Sequence, residues 1–401
     1  MELLLKQILP ILFFFLLLFE IEKNKSILFT LALFWSYISF GSNYSLPPYR
    51  VLYQVVQLIV ILYYLAYYRF DFHYTKVGKQ LLVFLLFILL SYLGNGVQLS
   101  LYLSSLINFI TIYLVLSYLF KAINTTEKLE KVFTYITKLV FLTAIFTVIA
   151  FIVERTRIEL TTNNPNYLAY FLGLGFCTAY TTKNKTRRLI ELLTIGASIM
   201  CTSSRIILIA MTVVVVIHVL SNKRTLVLNI LGGTLAVLIA IGVLNVTEMI
   251  SSKRFRNIDE DASTLVRVEI IETSKKIVAA NPFNGVGYNQ FQNRFSNYVS
   301  ATAEFLADTD KIVTHNDFLR IVDELGIPAL LFMFYIIISQ VIIIWKLPVY
   351  QRNVLLTLLI TDILYSTSHN NLNAFVFWFF LMLPTMAYYI NLKEAYVKEA
   401  E

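Results

Sequence analysis

The chain has 401 residues, 58% hydrophobic and only 14% charged. An ordinary soluble domain is about 45–50% apolar and about 25% charged. There are therefore too few charges to coat a water-soluble globule, and too much apolar content for a disordered chain. Lys and Arg number 33 against 25 Asp and Glu, a formal +8. In a lipid-embedded chain that excess reads as cytoplasmic loop charge rather than a nucleic-acid footprint.

A spanning helix needs about 20 mostly apolar residues. Such runs recur along the chain near 3–20, 26–41, 51–68, 80–93, 99–119, 132–153, 167–182, 189–202, 205–221, 225–246, 319–345, 353–367 and 374–391. The first has no small-residue cleavage pattern behind it and reads as a retained helix. The stretch from Gln80 to Phe120 carries no charge and breaks at Gly94-Asn95-Gly96, so it holds two spans. The expectation is an all-α integral membrane protein, a polytopic bundle of about 13 (12–14) transmembrane helices with one large extracytoplasmic loop containing helices. Backbone groups in lipid must be satisfied internally, and runs of this length without strict alternation favour helices over a barrel. Three parts follow: an N-terminal transmembrane bundle of about 10 helices over 1–246, the large loop over 247–318, and C-terminal helices with a short cytoplasmic tail over 319–401.

Lys and Arg cluster in the loops after odd-numbered spans, as in Lys183, Lys185, Arg187 and Arg188. The short loops after even-numbered spans carry only Arg50, Arg155, Arg157 and Arg205. The positive-inside rule makes the first set cytoplasmic. The large loop then lies outside by parity. Within it, residues 263–280 read as a helix with Ser263 as N-cap and Asn281-Pro282 as stop, followed by a turn at Gly285 and Gly287.

Several polar features fall on that outer side. Asn163-Asn164-Pro165-Asn166-Tyr167 opens a span with helix-start chemistry. Arg205 stands between two apolar helices in Thr202-Ser203-Ser204-Arg205, where snorkelling is the plain alternative. Arg267 lies on the loop helix, where a solvated face or a pair with Glu260 or Glu269 would also account for it. His315-Asn316 opens the return into lipid, and a histidine there titrates near neutral pH and suits general-base work. His369-Asn370-Asn371 sits in a later outer loop, as a polar loop residue or a lining of the same cavity. No phosphate-binding P-loop and no zinc-type spacing occurs, and Cys177 and Cys201 are too few for a disulfide framework or a cysteine cluster.

Four strings in order on that side carry a resemblance: "NPNYLA" opening a span, "TSSRIIL" between spans, "STLVRVEIIETSKKIVAANPFNGVGYNQF" in the long loop and "THNDFLRIVDELGIPALL" leading back into lipid. Over roughly residues 160–390 the chain resembles the O-antigen polymerase (Wzy) and O-antigen ligase superfamily of bacterial membrane glycosyltransferases. The resemblance implies transfer of a glycan from an undecaprenyl-diphosphate carrier to an acceptor hydroxyl. The reaction would occur on the extracytoplasmic face of the bacterial inner (plasma) membrane, without metal or other cofactor. It implies that Arg205 and Arg267 bind the diphosphate, and that His315 serves as base or orienter. Asn316, Asn166 and His369 would join them as substrate-binding residues. The implied partners are the lipid-linked oligosaccharide and membrane lipid, with a chain-length regulator and a flippase, and no nucleic acid. The expected activity is a repeat-unit polymerase for O-antigen or capsule. The rival within the family is a ligase delivering the finished chain to lipid A core or another acceptor. The rival of another class is a lipid-linked oligosaccharide flippase, which predicts internal repeats and charged or broken helices at the midplane. No such repeat is visible, and Lys138 and Asp362 are the nearest midplane charges.

Overall fold

A computed structural model of the chain describes residues 76–93, 99–162, 164–221, 262–299 and 313–400, with isolated positions between 55 and 66. The spans expected near 3–20, 26–41 and 225–246, most of that near 51–68, and residues 247–261 and 300–312 of the long loop lie outside the described residues. The described regular structure is entirely helical: α1 (Lys76–Leu90), α2 (Leu99–Ala122), α3 (Thr126–Glu154), a short 3-10 turn (Leu160–Thr162), α4 (Pro165–Ala179), α5 (Lys185–Thr202), α6 (Arg205–Leu220), α7 (Ala262–Ala280), α8 (Phe291–Phe295), α9 (Asp317–Leu325), α10 (Ile327–Trp345), α11 (Val349–Ser366) and α12 (Phe375–Ala400). Among these, four segments are long and apolar enough to cross a membrane: Ser105–Ala122, Thr126–Glu154, Ile327–Trp345 and Phe375–Val397.

The bundle turns apolar side chains outward. Along α10, Leu331, Phe334, Tyr335, Ile338, Ile342 and Trp345 are exposed, a helical stripe that in water would be unfavourable and in lipid is at home. Its opposite face is buried through Met333, Ile336 and Gln340. Polar groups in the interior pair with each other. Gln80 Nε2 donates to Ser339 Oγ (3.1 Å), Thr385 Oγ1 to Gln340 Oε1 (2.8 Å) and Thr137 Oγ1 to Thr178 Oγ1 (2.8 Å). An unpaired polar group in an apolar medium costs a few kcal/mol, roughly 1–3 by mutational data, so these pairs fix the mutual rotation of the helices.

Helices α3, α4 and α5 pack on one another, and α4 and α6 both pack on α11. Close approach of α3 and α4 depends on Gly175, where an added Cβ would lie 2.2 Å from Val140 Cγ1. α12 closes the bundle on α10, α11 and α2. Its Trp378 is fully buried, with the indole N–H donating to the Leu372 carbonyl at 2.8 Å.

Two expectations need correction. The run over 319–345 is not one helix. It breaks at Gly326 (φ +87°), where α9 ends and α10 begins with a proline in its first turn. Glycine is needed there, because a Cβ would meet the Phe283 carbonyl oxygen at 2.2 Å. Ser263 does not cap the loop helix either: α7 already includes Ala262, so Ser263 lies within it.

Candidate functional site

The sequence strings singled out above meet at one end of the bundle, where α3, α5 and α11 finish and α4, α6 and α9 begin. Local chemistry places each piece. Asn164 caps α4, its Oδ1 accepting from Asn166 N (2.9 Å), and Pro165 occupies the first turn. Ser203 takes a left-handed conformation (φ 53°) after α5, so that α6 starts only two residues later, at Arg205. Asn316 caps α9, its Oδ1 accepting from Phe318 N (2.9 Å) and Leu319 N (3.2 Å). His315, just before that cap, is held at φ +50°, a conformation costly for a residue with a Cβ and informative when found beside candidate chemistry.

Hydrogen bonds then tie these starts and stops together. The buried Asp317 carboxylate accepts from Asn371 N (2.7 Å) and Leu372 N (3.0 Å). Thr314 Oγ1 donates to Asn370 Oδ1 (2.9 Å), and the Tyr167 hydroxyl donates to the Asn370 carbonyl (3.1 Å). The loop carrying His369 is thereby fastened both to the segment carrying His315 and to the start of α4. On the other side, Arg157 Nη2 donates to Asn166 Oδ1 (2.7 Å) and Arg157 Nε to the Thr202 carbonyl (2.6 Å). Arg157 thus joins the α4 start to the turn that presents Arg205.

Arg205 is half-buried. Ile207, two residues on, reaches within 3.1 Å of where a Cβ on Gly173 would sit, and Thr361 of α11 within 3.3 Å. At about 1.5 Å rise per residue, Arg205 enters at about the level of Tyr170 and Tyr365. Those rings stack (centroids 4.2 Å, 14°), and Tyr365 stacks in turn on His369 (4.6 Å, 1°). Asp362, three residues before Tyr365 on α11, accepts a hydrogen bond from Tyr170.

Electrostatics shows what else converges. The His369 imidazole is pushed down from 6.5 to about 3, first by burial and then by the positive charges of Arg267, His315 and Arg157. His315 is lowered too, by burial and then by Arg267. Arg267 on α7 therefore acts on both imidazoles, and every charge acting on His369 has the same sign. Both rings are neutral near pH 7. The cluster has the field of an anion site with two proton acceptors inside it.

Beside it lies a charge-balanced clasp. Arg320 Nε donates to Glu324 Oε2 (3.0 Å), Arg320 Nη2 to Asn289 Oδ1 (3.2 Å), and the guanidinium lies over the Tyr288 ring (5.4 Å). Glu324 also accepts from Asn289 N (2.8 Å) and Phe291 N (3.3 Å). Burial opposes the Arg320 charge, but Glu324, Tyr288 and Asp317 together hold the guanidinium above its ordinary pKa. Val286 N donates to the Asp323 carbonyl (2.8 Å), Gly287 N to that of Glu324 (3.1 Å) and Ile327 N to that of Pro282 (2.8 Å). Gly285 (φ +60°) admits this approach, since a Cβ there would sit 2.3 Å from the Glu324 carbonyl carbon. Finally Ser274 Oγ donates to Asp323 Oδ2 (2.6 Å), fixing the Arg267-bearing helix to α9. The "NPFNGVGYNQF" and "DFLRIVDELG" strings are the two halves of this clasp.

Of the six candidate residues, Arg267, His315 and His369 interact electrostatically. Asn166 joins them through Arg157, and Asn316 is the residue after His315. The side-chain oxygens of Asn166 and Asn316 have structural duties, one accepting from Arg157 and the other capping α9. Arg157 escaped sequence reasoning, although a signal existed: it is one of the few basic residues in the short loops after even-numbered spans. Ser368, whose Oγ lies 2.9 Å from His369 Nδ1, gave no signal at all.

No curated protein matches the chain. Residues 190–334, which run from α5 into α10 and include Arg205, Arg267 and His315, match the Wzy_C family model, described as O-antigen ligase. That match supports the O-antigen polymerase and ligase superfamily as the family of this membrane-embedded chain.

Proposed function

We propose that the protein is a polysaccharide repeat-unit polymerase. It takes a glycan from an undecaprenyl-diphosphate carrier and joins it to a sugar hydroxyl of a second lipid-linked repeat unit, on the extracytoplasmic face of the bacterial inner membrane. The observation that carries this reading is the gathering of Arg267, Arg157 and two neutral imidazoles, His315 and His369, at one end of the bundle. Arg205 is presented from the turn that Arg157 binds.

The chemistry follows from the charges. As the bond from sugar C1 to the phosphate oxygen breaks, negative charge grows on the diphosphate. Arg205 and Arg267 face that charge with planar, permanently protonated forks suited to phosphate oxygens. At a membrane boundary the reduced dielectric strengthens the attraction. The acceptor hydroxyl meanwhile loses its proton to an imidazole, in the role first given to His315, and its oxygen bonds to C1. A bound diphosphate also offsets the positive field that depresses the imidazoles. The base therefore strengthens when the donor arrives.

The ligase reading stands second, favoured by the description of the matching family. Reconstitution with purified lipid-linked repeat unit separates the two. A ladder of lengthening products is the expected result; a single transfer to a different acceptor identifies a ligase, and no transfer from the diphosphate donor refutes both. Turnover is expected to survive EDTA, because fixed guanidinium groups fill the place of a divalent ion.

A further inference from the structure

The clasp has a tip, the turn over Pro282–Gly285, that takes no part in the chemistry above. We propose that Phe283 at this tip inserts into the membrane surface on the side of the cationic cluster and seats the clasp on lipid. The partner is the bilayer itself, at the boundary between headgroups and acyl chains. The contact goes beyond the reaction proposed above and does not depend on it.

The backbone presents the ring rigidly. Helices α7 and α9 both leave the cluster, one past Arg267 and the other just after His315, and they end together. There Ile327 N donates to the Pro282 carbonyl (2.8 Å), Gly285 N donates to the Asn281 carbonyl (3.1 Å), and Gly326 packs against the Phe283 carbonyl. Pro282 restricts φ before Phe283, and Gly285 at φ +60° turns the chain after it. The Phe283 backbone is thus held on both sides while the residue is 74% exposed. One exposed apolar side chain on a water-facing surface would need no explanation. Phe283 is distinguished by where it stands.

Ile327, whose N–H binds the Pro282 carbonyl, is itself exposed, and it opens the apolar stripe of α10 that closes at Trp345. From Ile327 to Trp345 the helix rises about 27 Å, against a hydrocarbon core about 30 Å thick. The stripe therefore crosses the core once, and its two ends stand near the two boundaries. At one end Trp345 is exposed, with the Arg352 guanidinium over its ring (5.1 Å) and Lys346 next in the chain. At the other end stands Phe283, with exposed Asn284 beside it. An aromatic ring next to a polar group suits that boundary. Because α7 joins the tip to the cluster, the insertion also sets the height of Arg267 against the lipid headgroups.

The test is spin labelling of the full chain in proteoliposomes of phosphatidylethanolamine and phosphatidylglycerol. Cys177 and Cys201 are buried, so the nitroxide goes to an introduced cysteine. Labels at Phe283→Cys and, on the α10 stripe, at Leu331→Cys are compared with free nitroxide in the buffer. Each is scored for collisions with oxygen, which concentrates in lipid, and with a water-soluble nickel chelate. Oxygen should exceed nickel at 283, as at 331 and opposite to the free label. A 283 label that favours nickel overturns the proposal. So does one shielded from both reagents, because protein then covers the tip. The cysteine removes the ring itself, so Phe283→Trp gives a second readout in which an aromatic ring is kept. Its added emission should be blue-shifted and largely lost in phosphatidylcholine brominated high in the acyl chain. Added emission that is red-shifted and survives the brominated lipid overturns the proposal as well.

Discussion

The clasp and the cationic cluster are neighbours joined by α9, and they treat charge in opposite ways. In the clasp, Glu324 is matched by Arg320 and by two backbone N–H groups, and Asp317 receives two more. In the cluster, Arg157, Arg267 and His315 all act on His369 with one sign. Burying a charge without a partner costs several kcal/mol, roughly 3–5 when a buried pair is broken. A fold keeps the balanced arrangement for its own stability. In the cluster Arg267 is exposed and Arg157 and His315 are only half-buried, so a net positive field stands there at little cost in stability. The contrast separates residues that build the site from residues that use it, although both sets come from the same few sequence strings.

The largest effects should come from the unbalanced side. Arg205→Ala, Arg267→Ala and His315→Ala are each expected to abolish chain extension, by at least about 10²-fold in turnover, with protein still present in the membrane fraction. Arg267→Lys should also be poor, because a point charge does not reproduce the fork. Normal polymer length in all three alanine variants would remove the site. Next comes the balanced side. Glu324→Ala leaves Arg320 buried and unmatched and should destabilise the protein by about 3–5 kcal/mol, seen as a lowered unfolding midpoint in detergent. The double variant Arg320→Met, Glu324→Leu should recover much of that loss. Equal stability of the single and double variants would show that the pair is not buried together.

Smaller still is the join between the two. Asn166→Ala removes the acceptor of Arg157 Nη2, and a fall in kcat of about tenfold, and at most about 10²-fold, is expected from the roughly 1.5–3 kcal/mol of a charged hydrogen bond. A larger loss than in Arg267→Ala would mean that Asn166 binds substrate directly.

Much of this was legible in the sequence, for identifiable reasons. Asn164-Pro165 announced the start of α4, and Asn281-Pro282 the end of α7, because capping and φ restriction are local. Arg205 stood out as a charge where the short outer loops carry few basic residues, and Arg267 and His315 through the strings that carry the family resemblance. The break at Gly326 had a local signal in Gly326 and Pro328 that the expected span ran through, whereas the contact that demands glycine there, with the Phe283 carbonyl, lies far away in the chain. Arg157 and Ser368 were hidden for the same cause. Their meaning comes from Asn166, Thr202 and the Nδ1 of His369, and the Arg157 partners are met only after folding.

The central claim, that Arg267 shares one cavity with the two imidazoles, is tested most directly by the acid limb of turnover. Both rings are held below 6.5, with Arg267 among the causes. A base must be neutral to act, so wild-type kcat/KM, which reports the enzyme before the donor binds, should persist on acidification past pH 6.5 and fall only below it. Replacing Arg267 by Met removes one depressing charge, raises the imidazole pKa, and should move the acid limb of the residual activity to higher pH. An acid limb at the same pH in wild type and Arg267→Met would place the guanidinium elsewhere and contradict the account.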